Sequence, residues 1–400
     1  MALKPLRTVR SRVSVGGLAS IADRAEQMLM KLREDTEWNI WKVAPSFSSS
    51  KVAKLCHIER ADLNYLCTRG RKDGYPTGTL NDKNSSRMFT LAETQAFVRA
   101  NGQYRPRPKG QKGIVCGVGN FKADVGKTTC AVGLAQGLTL LGHQVLLIDL
   151  DPQASSTFLM GCWADVDVSE ELTVMPVVRG EQQDLRYALR RSYWNGLDLI
   201  PSCAALSDAD HYFIQNYLGN APIDSWRVLD TALEPLRDQY DVIIIDTPST
   251  LSFLTIAAFI ATDGLIVPLP PETRDFASST QFFRTLSVLF DKFYKNGEVE
   301  KKFEFVKVVL SKVKPSSPAA AVMKEWIKQS YHEMVTTATI IETDIARNAG
   351  ADFQTIYDIE RYDRSKKSLD QALESFDSLV AEIEAAIQNV WQLRIEEGDT

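Results

Sequence analysis

The sequence predicts a doubly wound α/β fold, a mostly parallel sheet with helices on both faces, behind a smaller helical module. Three observations predict it. From Ile114 onward, apolar runs of buried-strand type (Ile114–Val118, Val145–Ile148, Leu197–Ile200, Val242–Ile245, Gly264–Val267, Val306–Leu310) alternate with helical stretches. Two of these runs end in carboxylates, and the first is followed by a Gly-Lys-Thr-Thr loop. Before residue 110 the rhythm is instead one of short helices, and the charge changes sign.

That charge change is large. Residues 1–110 hold 20 Lys and Arg against 10 Asp and Glu, although the whole chain of 400 residues has a net charge of −5. A basic module joined to an acidic one suggests that the first meets a polyanion. No apolar run reaches the roughly 18–20 residues that span a bilayer. The basic start is not followed by an apolar stretch, so no signal peptide is expected. The six cysteines are dispersed without a CxxC pair, which suits reduced, buried thiols in a cytoplasmic protein and indicates neither a disulfide framework nor a zinc site.

Three segments follow in order. Residues 1–45 comprise a basic, aperiodic start and a helix over Ser20–Trp41, in which Ile21, Ala25, Met28, Leu29 and Leu32 recur at helical spacing. Such a stripe must be buried against a second copy or the following domain, and the pattern leaves both open. Residues 46–105 form a second unit. Ser48-Ser49-Ser50 can cap a helix to about Cys56, His57-Ile58 make a tight connection, and Glu59–Arg69 form a second helix with Leu63 and Leu66 on one face. Gly70–Arg87 can form a hairpin wing, Thr90–Arg99 a further helix, and Asn101–Gly110 reads as a linker. Residues 106–400 are the α/β domain, closed by an amphipathic helix over Ser368–Leu393.

The chemistry concentrates after the first long strand. Asn120-Phe121-Lys122-Ala123-Asp124-Val125-Gly126-Lys127-Thr128-Thr129 joins that strand to a helix, the context a phosphate loop requires. Backbone N–H groups from Ala123 to Thr129 would point at the phosphates, aided by the helix N-terminus. Lys127 would bridge the β- and γ-phosphates, Thr128 would ligate Mg²⁺, and Thr129 lies nearer the α-phosphate. A strict Walker A pattern needs Gly at position 121, where Phe121 stands. Val145–Asp149 with Asp151, and Val242–Asp246, are strands ending in carboxylates, which parallel sheets gather at the ligand crevice.

Together these motifs resemble the deviant Walker A ATPases of the ParA/MinD/nitrogenase-iron-protein superfamily, over about residues 112–385. Lys122 falls where the family has its signature lysine, which implies that it reaches across a dimer to the partner's phosphates. Asp151 matches the carboxylate that positions the attacking water, Asp149 the acidic residue beside it near Mg²⁺, and Asp246 the Walker B aspartate. The resemblance implies ATP hydrolysis with Mg²⁺ by a homodimer. Pro268–Phe276, with Pro270 and Pro271, looks like the family segment near adenine. One departure stands out: Ala123 and Asp124 replace two loop glycines, and Asp124 brings a negative charge towards an anionic ligand.

Residues 47–99 resemble the winged helix-turn-helix of the long plasmid ParA proteins, with the preceding helix in the place of a dimerisation helix. By that resemblance Glu59–Arg69 is the recognition helix. Arg60, Asn64, Arg69, Arg71 and Lys72 would meet bases and phosphates, and Lys83 and Arg87 in the wing the backbone. Arg347 lies in a segment resembling the one that carries a nonspecific DNA contact. The resemblance further implies a ParB-type centromere-binding partner, operator binding in the ADP state with autorepression, and a nucleoid-associated location. The polar face of the last helix is acidic, unlike the basic membrane anchor of MinD-like proteins, and suits packing on the sheet or the dimer interface. Two readings stand: a partition ATPase that represses its own operon, and, from Ala123 and Asp124, a DNA-binding regulator with a degenerate, non-hydrolysing site. A metal-cluster ATPase is disfavoured because no cysteine pair is present.

Overall fold

A computed structural model describes residues 14–35, 42–69, 74–80, 87–102, 104–218, 226–296, 300–343, 354–359 and 366–398. The chain divides into two compact units, residues 1–43 and 44–400. The first is described by one helix, α1 (Val15–Asp35). It begins earlier than the periodicity indicates, because the Ser14 hydroxyl accepts a hydrogen bond from the Gly17 N–H at 3.1 Å and caps it. Leu18, Ile21 and Met28 on this helix are exposed.

The second unit opens with β1 (Phe47–Ser48), α2 (Ser49–Leu55), α3 (Arg60–Arg69), β2 (Thr79–Leu80), β3 (Arg87–Phe89) and α4 (Leu91–Ala100). Local chemistry sets these boundaries. Ser48 caps α2 by accepting from the Lys51 N–H at 3.3 Å. Thr90 and Glu93 form a reciprocal capping box on α4. The turn between α2 and α3 places His57 at φ +52°. The strands form an antiparallel sheet in the order β1-β3-β2. Val52, Leu63, Phe89 and Phe97 fill the module's core.

This module is clamped to the main domain. Phe47 meets the buried Trp194 edge-on, with centroids 6.2 Å apart. Gln95 donates to the Asn195 carbonyl at 2.7 Å, and the Arg99 guanidinium donates to the Gly142 carbonyl at 2.7 and 3.1 Å. The segment expected to be a linker is a pinned strap. Tyr104 packs on the His143 ring, Arg107 donates to the carbonyls of Arg237 and Asp238 and pairs with Asp241, and Gln388 donates to the Arg105 carbonyl. Its Pro and Arg content announced a polar path but not these partners, which lie far away in sequence.

The main domain holds β4 (Ile114–Val118), α5 (Lys127–Leu140), β5 (Val145–Asp149), α6 (Ser155–Leu159), β6 (Arg190–Arg191), β7 (Leu197–Ile200), α7 (Ala209–Leu218), α8 (Val228–Leu233), β8 (Val242–Asp246), α9 (Phe253–Ala261), β9 (Gly264–Leu269), α10 (Thr273–Lys295), β10 (Phe305–Val313), α11 (Pro318–Tyr331), β11 (Val335–Ile341) and α12 (Lys366–Glu397). The sheet order is β11-β10-β9-β4-β8-β5-β7-β6, parallel except for β6 against β7. Core clusters lie on both faces of the sheet, as a doubly wound fold requires. β11 was not expected, because its Thr-rich sequence lacks the continuous apolar run of a central strand. It is an edge strand, and α12 covers it: Glu382 accepts from the N–H groups of Thr337 and Ala338 at 2.9 and 3.1 Å. α12 also packs on α5, where Gly133 and Gly137 leave room for Phe376 and Val380 that a side chain would close. Among the described residues, no helix is long and apolar enough to cross a membrane.

Candidate nucleotide site

The site lies where the three central strands end. β8 is hydrogen-bonded to β4 on one side and β5 on the other, and the register sets Asp149 opposite Asp246 and Val118 opposite Asp246. The chain leaving β4 is held in shape by side chains from distant strands. Buried Asn120 donates to the Pro268 carbonyl at 3.0 Å and accepts from the Lys122 N–H at 3.0 Å. Ser311 donates to the Val125 carbonyl at 2.7 Å. Phe121 is partly buried and packs on Phe282 with centroids 4.7 Å apart, so it anchors the loop at the place where a strict pattern has glycine. Asp124 and Gly126 have φ of +59° and +89°.

Ala123, Asp124, Gly126, Lys127, Thr128, Thr129 and Asp151 line one cavity of about 610 Å³, together with Gln153, Phe158 and Ser249. Val125 is buried and does not line it. The Lys127 ammonium is also nearly buried and donates to the Lys122 carbonyl at 3.1 Å and to the Ser249 hydroxyl at 2.6 Å. Burial pushes its pKa down, against the attraction of Asp246, Asp151 and Asp124. Lys122 lies 3.7 Å from Asp275 of its own chain.

The two strand-end carboxylates differ. Both are fully buried, and burial raises both pKa values. Asp149 has both oxygens occupied: Oδ1 accepts from the Asp151 N–H at 3.1 Å, and Oδ2 accepts from the Thr157 N–H and hydroxyl at 2.8 and 2.7 Å. Asp246 Oδ2 accepts from Ser156 at 2.7 Å, but its Oδ1 is buried without a hydrogen-bond partner. Such an oxygen is costly unless something meets it. No group of three His, Cys, Asp or Glu side chains clusters among the described residues. One carboxylate and one hydroxyl, completed by water and phosphate oxygens, nevertheless fit Mg²⁺, which binds proteins in that sparse way.

The other expected residues divide. Pro270 and Pro271 are buried and do not line this cavity; Pro271 borders a neighbouring one of about 440 Å³ with Arg274, Lys312 and Lys314. Arg60, Asn64 and Arg69 are exposed on α3, and the Arg69 guanidinium sits 5.8 Å over the Tyr65 ring. Arg87 is engaged inside the hairpin, donating to the Thr77 carbonyl at 2.8 Å. Arg71, Lys72, Lys83 and Arg347 lie outside the described residues. Sequence reasoning quoted Asn120 and Asp275 within motifs without giving them a role, and missed Ser249 and Lys312. For Ser249 the only signal was its place three residues after Asp246.

The AAA_31 family model, described as an AAA domain, matches residues 113–300. The chain is 31% identical over 317 residues to putative replication protein A of Rhizobium rhizogenes, covering 76% of this chain and 78% of that one. It is 33% identical over 285 residues to protein SopA of Escherichia coli (strain K12), covering 70% and 72%. Chromosome partitioning protein ParA of Caulobacter vibrioides is 33% identical over 199 residues, covering 49% and 68%. A solved structure of a partition protein shares the fold with a TM-score of 0.65 at 20% identity, over 93% of this chain and 98% of that one. On the extent of the match to SopA, together with the phosphate loop and the strand-end aspartates, the chain belongs to the family of ParA-type partition ATPases.

Proposed function

We propose that this chain is a partition ATPase that binds Mg²⁺–ATP at residues 123–129 as a homodimer and hydrolyses it to ADP and phosphate. The observation that carries this reading is the convergence of Lys127, Thr128 and Asp151 on one cavity, with the unpartnered oxygen of Asp246 buried nearby. Lys127 binds the β- and γ-phosphate oxygens, leaving Ser249, and Asp151 orients the attacking water. Thr128 and Asp246 hold Mg²⁺, which when bound supplies charge neutralisation on the phosphates. The oxygens of Asp149 are already occupied, which favours a role for it in holding Asp151 and α6 over direct metal contact. Lys122 turns from Asp275 to the partner's nucleotide when two chains meet.

The exposed face of α3 (Arg60, Asn64, Arg69), with Arg71, Lys72 and Lys83, binds operator DNA, and ADP favours that state. Residues 46–105 thereby form a winged helix-turn-helix that represses the chain's own operon. With ATP the dimer binds nonspecific DNA through a surface that includes Arg347, and a ParB-type partner stimulates hydrolysis. The protein is cytoplasmic and nucleoid-associated. ATP hydrolysis with and without DNA, against an Asp151→Ala control, tests the enzymatic part. Stimulated turnover in the unaltered chain, lost in the control, is expected; turnover no higher than the control points instead to a DNA-binding regulator with an inactive site. A gel shift on the DNA upstream of its own gene, with ADP and with ATP, tests the operator part.

A further inference from the structure

Of the two residues that replace loop glycines, Ala123 and Asp124, only Asp124 lies at a left-handed backbone angle, with φ +59°. Glycine, asparagine and aspartate are the residues that tolerate this region. The substitution therefore keeps the loop's shape and adds a negative charge at the mouth of the phosphate cavity, with its side chain 92% exposed. That charge is met from another strand. Lys312 Nζ lies 2.5 Å from Asp124 Oδ1.

Lys312 is itself held unusually. Its φ is +49°, a region in which a lysine is strained. It lies where β10 slips against β11: Leu310 pairs with Thr339, but Val313 pairs with Ile341, so three steps on one strand face two on the other. A bulge of this kind re-aims a side chain. Here the re-aimed side chain reaches the phosphate loop. Beside it, Lys122 and Asp275 form a second pair at 3.7 Å, so these four charges sum to zero.

We propose that Lys312 is a positioning residue that neutralises Asp124, restoring the charge balance that glycine would give the loop, so that affinity for a nucleoside triphosphate follows the net charge of the pair. This rests on the nucleotide-binding reading above. Lys312→Ala leaves Asp124 facing the phosphates and weakens Mg²⁺–ATP binding by about fivefold at low salt. Asp124→Asn keeps the backbone and leaves Lys312 unpaired, and it tightens binding by a similar factor. The double variant returns close to the unaltered chain, and Lys312→Arg behaves like it. Because the pair is exposed, the shifts shrink as salt rises. Calorimetry with Mg²⁺–ATP on the full chain and these variants at two salt concentrations reads all of this. A Lys312→Ala variant that binds as tightly as the unaltered chain overturns the proposal alone, and so does a double variant as weak as Lys312→Ala, which would mark a merely structural role. An unaltered chain that binds no nucleotide overturns both this proposal and the reading beneath it.

Discussion

The two ends of α5 live in different surroundings. At its start the Lys127 ammonium donates to the Lys122 carbonyl and the Ser249 hydroxyl, on the wall of an open cavity. At and just past its other end the chain is wedged among aromatic rings. Trp194 donates to the Thr139 hydroxyl at 2.7 Å and meets Phe47, while Tyr104 and Trp391 close on His143. One end is built to exchange partners and the other to keep them. The phosphate end thus carries function at some cost in burial, and the far end carries stability and the attachment of the small module.

The largest expected effect is that of Trp194→Ala at the far end. It removes a fully buried ring from the joint between the module and the main domain and costs about 4 kcal/mol in denaturant unfolding. A loss below about 1 kcal/mol would show that the far end is not the stabilising one. Lys127→Met comes next. It keeps the aliphatic stem, lowers ATP turnover about 100-fold, roughly 2.7 kcal/mol of barrier, and leaves the melting temperature no lower, because a desolvated ammonium is lost. A fall in melting temperature would mean that Lys127 holds the loop together rather than waiting for a ligand.

The smallest effect concerns His143. Its ring is buried, with Asp241 and Glu384 at 3.8 and 3.6 Å from its two nitrogens, neither close enough for a hydrogen bond. Burial pushes its pKa down, but the two carboxylates outweigh burial and raise it above 6.5. A group whose folded pKa is raised stabilises the fold fully below the unfolded pKa and loses that contribution as pH rises through the folded value. Stability should therefore decline gently from about pH 6 upward, and His143→Gln should flatten the decline. An unchanged slope in the variant would assign it to other groups.

How much of this was legible in the sequence follows the same division. Central parallel strands are buried on both faces, so they appear as unbroken apolar runs, and Asp149 and Asp246 could be read from where those runs stop. Ser48 and Thr90 announce helix starts because a cap bonds within three residues. What stayed hidden depends on contacts far apart in sequence: Arg99 with Gly142, Gln95 with Asn195, Lys312 with Asp124. No local pattern encodes these. Position 124 advertised its charge but not the residue that answers it. The partly exposed β11 failed for a different reason, since an edge strand covered by one helix has no periodic apolar signature.

The two flat spots on α5 have a mechanical consequence. Phe376 and Val380 of α12 sit over Gly133 and Gly137 like keys in a slot. Sliding α5 along its axis by one residue, about 1.5 Å, would carry the ordinary side chains beside those glycines into the keys. A one-residue slide of α5 past α12 is therefore opposed, and along this contact the two helices are keyed together.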